Sequence, residues 1–241
     1  MDPLVQIFHA LCFLVYSFGL YFDHYKVAIP SETGHHVMTY QVIGGRWKYL
    51  TYINLVLQCV FFGVCFLNDF LGSETLVANR RSALQKVRDG VVATVVVPLG
   101  VFVPLVFWGL YAVDRNLIFP ASMDAWFPTW LNHLMHTLPL FAALLEIVTV
   151  NHVYPRGRNL YFPIVVISAI YVAWICFIAY HAGMWVYPVF EVLDFKSRAA
   201  FMACLIPPNL LFVFLGQKLH MTVWGAGKGP SRRRGKKDKS Q

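Results

Sequence analysis

The sequence predicts an all-α, multi-pass integral membrane protein with six transmembrane helices and both termini in the cytoplasm. The first observation is the composition: 58% of the residues are hydrophobic and only 13% are charged, and the mean hydropathy is +0.55. Soluble globular domains rarely reach these values. The second observation is a set of apolar runs of about 18 to 24 residues, each long enough to cross a hydrocarbon core of roughly 30 Å as a helix. The third is the uneven placement of lysine and arginine along the chain.

The six apolar runs define the expected spans of a transmembrane domain over residues 1–224. They cover residues 4–22, 50–67, 91–113, 127–150, 161–180 and 199–219. Helix is expected in each because a backbone amide in lipid needs a partner within its own segment, and no run alternates with the period of a barrel strand. Asp2 precedes the first run and no basic segment does. This run is therefore interpreted as an uncleaved anchor and not as a signal peptide.

Positive charge predicts the orientation of the spans. With the N-terminus in the cytoplasm, the cytoplasmic segments hold fourteen of the 20 lysines and arginines, and the outer loops hold the other six. An excess of lysine and arginine marks the cytoplasmic loops of multi-pass proteins. Both termini are therefore expected in the cytoplasm, and the second and fourth spans are expected to enter the membrane from its outer face.

Residues 225–241 form a basic, glycine-rich segment that predicts a disordered cytoplasmic tail. Such a tail is expected to contact anionic lipid headgroups, and nucleic-acid binding is a poor interpretation of it. Lys237 and Lys239 stand at the fifth and third places from the end. This spacing resembles a retrieval signal for the endoplasmic reticulum, although a lysine-rich tail also produces it by chance.

The fourth span carries polar side chains that are costly in a membrane. Asn132 and His136 are four residues apart and share a helix face, and His133 lies close to that face. One histidine is compatible with a satisfied core residue, but two histidines and an asparagine favour a polar cavity or a functional site. Glu146 lies deeper in the same span. It is equally compatible with an ion partner in helix packing, a proton relay or a neutral carboxylic acid.

The second span begins with an aromatic and cationic belt that, judged alone, indicates a membrane anchor. Thr51 lies about 6 Å below Trp47 at 1.5 Å per residue, and His136 lies about 13 Å below Phe127, so both are expected in the outer half of the bilayer. The two side chains could therefore meet. His181, at the end of the fifth span, is expected on the same side of the membrane.

Four separated motifs resemble the androgen-induced gene 1 family. They are the residues Gly45-Arg46-Trp47-Lys48-Tyr49-Leu50-Thr51, Pro98-Leu99-Gly100-Val101-Phe102, Trp130-Leu131-Asn132-His133-Leu134-Met135-His136-Thr137 and Gly183-Met184-Trp185-Val186-Tyr187-Pro188. They occur in the family's order and span most of the chain. The basic tail lies outside the resemblance.

The resemblance implies a membrane-embedded hydrolase that cleaves fatty acid esters of hydroxy fatty acids. The lipid substrate would enter from the bilayer, and the cell membrane would be the expected location, with the endoplasmic reticulum as the alternative. The resemblance assigns Thr51 as the nucleophile and His136 as the general base, and it gives His133 no catalytic role. Asn54 stands where some family members have aspartate, so it is a candidate orienting group. Asn132 and His181 are further supporting candidates.

Other classes of function are weighed against this hydrolase. The sequence contains no G-x-S-x-G motif, which excludes the α/β-hydrolase machinery. A zinc or iron site from His133, His136, His181 and Glu146 is the next alternative, but there is one H-x-x-H pair and no H-E-x-x-H motif, so neither a metal nor another cofactor is predicted. The alternative from a different class is a non-enzymatic lipid-binding protein, receptor or scaffold. The halves show no inverted repeat, which argues against a transporter.

Overall fold

The computed structural model describes residues 2–27 and 43–225, which are helical throughout apart from turns and connections. The ten α-helices are α1 (Pro3–Lys26), α2 (Leu50–Leu71), α3 (Ala83–Val91), α4 (Val97–Asp114), α5 (Thr129–His136), α6 (Leu138–Thr149), α7 (Arg158–Ala182), α8 (Val189–Val192), α9 (Phe195–Cys204) and α10 (Ile206–Trp224). The expected basic tail lies outside the described residues from position 226 onward.

Five helical stretches are long and apolar enough to cross a membrane, and the bent pair α5 and α6 makes a sixth if it counts as one span. The all-α, multi-pass prediction is therefore confirmed. The helix that contains the predicted third span begins earlier than the span itself, because α3, a π-helical segment, α4 and a final 3-10 turn run continuously over Ala83–Leu117. The sequence hid this extension because Arg88 and Asp89 look like loop residues, yet both are buried in the structure.

The stretch Ala83–Leu117 is the most buried of the candidate spans and lies at the centre of the bundle. Helix α4 packs against α2, α5, α6 and α10, while α1 packs along α2. Small residues permit the close crossings, as is usual where helices associate in lipid. A Cβ atom added at Gly216 of α10 would lie 2.8 Å from Cγ1 of Val97. This contact brings α10 directly against the start of α4.

The predicted fourth span is broken at Thr137, where α5 and α6 meet at an angle of 40°. Pro139 follows at the start of α6. Proline has no amide hydrogen to donate and its ring clashes with the carbonyl four residues earlier, so a continuous helix is interrupted here. The indole Nε1 of Trp108 donates to the His136 carbonyl oxygen at 2.8 Å. This hydrogen bond, made at the helix break, fixes the position of His136 against α4.

Candidate active site

Thr51 and His136 are 85 residues apart in sequence, and the structure brings their side chains together. The Nε2 atom of His136 lies 3.3 Å from the Thr51 hydroxyl oxygen. Thr51 lies in the first turn of α2, and His136 is the last residue of α5. Both helix ends are placed by the packing of α2 and α5 against α4. A hydroxyl group and a possible base are therefore in contact where two helices terminate.

The second ring nitrogen of His136 decides how the imidazole is protonated. Its Nδ1 atom lies 3.0 Å from the backbone oxygen of Asn132. A carbonyl oxygen only accepts hydrogen bonds, so Nδ1 carries the hydrogen and Nε2 presents its lone pair to Thr51. The ring also stacks on Phe107, with 3.5 Å between centroids and 17° between planes. His136 is thus held in the tautomer and orientation that a general base requires.

The start of α2 supplies hydrogen-bond donors beside Thr51. The first amides of a helix have no acceptor within the helix. The Leu50 amide donates to the hydroxyl groups of Tyr171 and Tyr187, each at 3.0 Å. The next two amides, of Thr51 and Tyr52, belong to the same first turn, where the helix dipole favours negative charge. This turn is suited to stabilise an oxyanion that forms next to Thr51.

Tyr187 is a component of the site to which the sequence analysis gave no role. Its hydroxyl lies 2.9 Å from that of Tyr171, which in turn donates to the carbonyl of Lys48 at 3.0 Å. Burial raises the pKa of Tyr187, so the hydroxyl remains protonated at neutral pH. In the sequence, Tyr187 is distinguished only by its place in the motif of residues 183–188. Nothing local in that motif indicates a contact with α2.

Two cavities meet at Thr51. The larger is a partly open groove whose walls come from α4, α7, α9 and α10 and are almost entirely apolar. The smaller contains His136 together with Asp23 and Arg46. Thr51 and Tyr187 line both. The hydroxyl of Thr51 therefore lies between an apolar chamber and a more polar one.

An ion pair between α1 and the turn before α2 forms part of the wall of the polar chamber. Arg46 Nε donates to an Asp23 carboxylate oxygen at 2.6 Å, and its Nη2 donates to the Asp23 backbone oxygen at 2.6 Å. The Asp23 side chain is only 1% exposed and that of Arg46 16% exposed. This pair holds the end of α1 near the mouth of the smaller cavity.

A family model described as FAR-17a/AIG1-like protein matches residues 4–221 of the chain. The chain belongs to the FAR-17a/AIG1-like family. It is 39% identical to the human androgen-induced gene 1 protein over 197 residues, which are 79% of this chain and 82% of that protein. It is 34% identical to the human androgen-dependent TFPI-regulating protein over 224 residues, which are 92% and 95% of the two chains. No solved structure showed a significant match.

Membership of the FAR-17a/AIG1-like family confirms the resemblance drawn from the sequence motifs, and the structure shows how two supporting candidates are placed. Asn132 is buried, but it contacts His136 through its backbone oxygen, and its side-chain oxygen has no partner among the described residues. Asn54 accepts a hydrogen bond from Gln58 at 3.3 Å, whereas the ring nitrogens of His136 contact Asn132 and Thr51. Asn132 thus orients His136 through its backbone carbonyl and not through its side-chain amide.

The other two histidine candidates lie away from Thr51 in this family member. His133 is exposed and contacts the Thr137 hydroxyl at 3.0 Å, with its ring stacked on Trp108. His181 is also exposed, and its ring contacts are with Phe177 and Tyr180. Neither imidazole shares the His136 cavity.

The four side chains considered for a metal site do not converge. Glu146 lies beside His9 and His152, whereas His136 faces Thr51. His133 and His181 point to the surface of the described structure. A metal at the Thr51 site of this family member therefore has no ligand set among those residues.

Proposed function

We propose that this member of the FAR-17a/AIG1-like family is an intramembrane threonine hydrolase that cleaves the ester bond of fatty acid esters of hydroxy fatty acids. Thr51 is the nucleophile and His136 is the general base. The observation that carries the proposal is the 3.3 Å contact between the Thr51 hydroxyl and Nε2 of His136, with Nδ1 fixed by the Asn132 carbonyl. A threonine hydroxyl is a weak nucleophile at neutral pH and needs an adjacent, oriented base.

The reaction follows from this geometry in two halves. His136 Nε2 takes the hydroxyl proton as the Thr51 oxygen attacks the ester carbonyl, and the first-turn amides of Thr51 and Tyr52 stabilise the oxyanion. Collapse of the tetrahedral intermediate breaks the ester bond, and His136 returns the proton to the leaving hydroxy fatty acid. A water molecule, deprotonated by His136, then attacks the acyl-threonine. The fatty acid leaves and the Thr51 hydroxyl is regenerated.

The shapes of the two cavities support a lipid ester as the substrate. An ester bond at Thr51 would place one acyl chain in the partly open apolar groove. The remainder would lie in the smaller cavity beside the Asp23–Arg46 ion pair. Polar or charged substrates would lose hydration on entering such a groove, whereas a lipid already dissolved in the bilayer would not. We therefore infer that the substrate enters from the membrane.

Orientation and location belong to the same proposal. The excess of positive charge in the expected cytoplasmic segments supports cytoplasmic termini, which would put Thr51 in the outer half of the bilayer. The family resemblance supports the cell membrane, and the lysine spacing of the tail supports the endoplasmic reticulum as the alternative. Contact of the basic tail with anionic lipid would accompany either location.

We expect a hydrophobic activated-carbonyl probe to acylate Thr51 of the purified protein. The oxygen that is activated by Nε2 of His136 should react, and peptide mass spectrometry should locate the acyl group on the peptide containing Thr51. Thr137 is an internal control, since it also touches a histidine, His133, at 3.0 Å but lies outside the two cavities. Lipid binding without acylation would support the alternative of a non-enzymatic lipid receptor, which the apolar groove alone would also suit.

We expect Ser168→Phe to reduce turnover of long-chain esters selectively. Ser168 lines the large groove, and a phenyl ring there would fill space needed by an acyl chain at a cost of about 1 to 3 kcal/mol. The expected result is a loss of about tenfold or more in kcat/KM for a long-chain branched ester, with little change for a short ester. Ala169→Phe is the matched control, because Ala169 is exposed and not part of the groove. An equal loss for both ester lengths would contradict the assignment of the groove.

A further inference from the structure

A second polar cluster lies far from Thr51, where α1, α2, α3, α6 and the connection after α6 meet. Its members are His9, Asp69, Asp89, Glu146 and His152, all fully or almost fully buried. Cys65 lies beside them, about 20 Å along α2 from Thr51 at 1.5 Å per residue. The proposed hydrolase mechanism uses none of these residues. A cluster of buried ionisable side chains inside a membrane domain has a high desolvation cost, which indicates a further function.

Glu146 is the centre of the cluster. Its Oε2 atom lies 2.9 Å from His9 Nε2, and its Oε1 atom lies 3.0 Å from His152 Nε2. The Cys65 sulfur lies 3.8 Å from Oε1. The potential ligand atoms of His9, Cys65 and Glu146 all lie within 4.8 Å of one another. Bond lengths of 2.0 to 2.3 Å place the ligand atoms of a tetrahedral zinc ion roughly 3.3 to 3.8 Å apart, so these side chains converge at about the right scale.

Each histidine is oriented by a carboxylate behind it. His9 Nδ1 lies 2.8 Å from Asp69, and His152 Nδ1 lies 3.0 Å from Asp89. A carboxylate that accepts from Nδ1–H leaves Nε2 to coordinate a cation, and this carboxylate–histidine pairing recurs behind the ligands of zinc sites. The cluster contains two such pairs that face the same glutamate.

His152 gives an independent sign that a ligand belongs between these groups. Its Nε2 atom is buried and makes no hydrogen bond within the described structure, although it is 3.0 Å from a Glu146 oxygen. The contact is close, but its direction does not satisfy a hydrogen bond. A fully buried ring nitrogen whose closest polar contact is poorly directed is costly, and coordination to an ion in the cluster would satisfy it.

Charge points to a divalent cation. Arg88 contacts Asp89 and Glu74, and Arg81 Nη1 lies 3.8 Å from Asp89. With neutral imidazoles and Cys65 as a thiolate, the four carboxylates of Glu74, Asp89, Asp69 and Glu146 and this thiolate exceed the two arginines by three negative charges. One divalent cation compensates two of these charges. In a pure ion-pair network Cys65 stays a thiol and protons on both histidines compensate the two charges that remain, which is the alternative that the experiment must separate.

We propose that His9, Cys65 and Glu146 bind a zinc ion, with His152 as the fourth ligand. Zinc is the ion that this mixed set of nitrogen, sulfur and oxygen atoms suits best, since magnesium and calcium prefer oxygen alone. His152 is assigned through its contact with Glu146. Four protein ligands leave no open position, which is typical of structural zinc sites. The ion would fasten α1 to α2, α6 and the connection that follows.

The test uses the full chain purified in detergent, with metal content measured by mass spectrometry and Co²⁺ as the spectroscopic probe. We expect about one zinc per chain and, after exchange, a thiolate-to-cobalt charge-transfer band. Cys65→Ser should remove this band and weaken zinc binding by about tenfold or more, and Asp69→Asn should weaken it by about 10 to 100-fold. Cys59→Ser is the matched control, since Cys59 is buried in the same helix but contacts Ser17.

The first result that would overturn the proposal is measured on wild-type protein, so it does not depend on whether a variant folds. Folded wild-type protein that contains no zinc and gives no thiolate band with added Co²⁺ would overturn the proposal in favour of the ion-pair network. Equal metal retention by wild-type, Cys65→Ser and His9→Gln would also overturn it, because the metal would then be adventitious. Neither result depends on ester turnover, so the hydrolase proposal is judged separately.

Discussion

Thr51→Val and His136→Ala are each expected to lose about a thousandfold or more of the ester hydrolase activity. The two side chains form one nucleophile–base unit, joined by the 3.3 Å contact. Removing either member disables the same step, so the double variant should lose little more than each single variant. Valine keeps the branched shape of threonine while removing the hydroxyl. Rates of ester cleavage by purified protein, compared at equal folded concentration, provide the measurement.

Two further variants make this result specific. Thr51→Ser retains a hydroxyl on the same carbon and should keep measurable activity, whereas a purely structural threonine would tolerate valine equally well. Thr137→Val in the exposed His133–Thr137 pair, whose atoms lie 3.0 Å apart, should retain far more activity than Thr51→Val. A well-folded Thr51→Val protein with full activity would exclude the threonine mechanism and leave lipid binding as the better function.

Arg88→Met is expected to cause the largest loss of stability of any single arginine substitution in the described bundle. The Arg88 side chain is fully buried and contacts Asp89 at 3.1 Å and Glu74 at 3.3 Å. Removing one partner of a buried ion pair costs about 3 to 5 kcal/mol, and Arg81, at 3.8 Å from Asp89, replaces only part of the lost compensation. The thermal unfolding midpoint in detergent should therefore fall by many degrees.

Arg115→Met is the matched control for Arg88→Met. Arg115 pairs with Asp124 at 2.7 Å, but the two side chains are 28% and 57% exposed. Water and salt screen such a pair, so its loss should change the unfolding midpoint little. Similar midpoints for Arg88→Met and wild type would show that the buried network contributes little to stability.

The break between α5 and α6 illustrates how a local signal depends on its surroundings. Pro139 is visible in the sequence, but a proline in a span can kink a helix, interrupt it or be accommodated. Here Trp108 of α4 donates to the His136 carbonyl, and the chain ends one helix before starting the next. The sequence predicts one span over residues 127–150 because their apolar character continues across the break.

The buried cluster around Glu146 shows the same dependence for charge. The sequence left the role of Glu146 open between an ion partner, a relay and a neutral acid. His9, Asp69 and Asp89 were not recognised as its neighbours, because they belong to different helices and lie 137, 77 and 57 positions away along the chain. Only the packing of α1, α2 and α3 shows that Glu146 contacts two histidines, each held by an aspartate.

The sequence by itself determined that the chain is folded in a lipid bilayer and that it is helical, because each apolar run had to satisfy its backbone hydrogen bonds within the hydrocarbon core. It also determined the family, through motifs centred on Thr51 and His136. The tertiary structure decided which side chains meet: Thr51 faces Nε2 of His136, the Asn132 carbonyl fixes the tautomer, and Tyr187 comes from a distant loop. Helix ends and crossings set such contacts, and neither the length nor the periodicity of an apolar run encodes how one helix rotates against another.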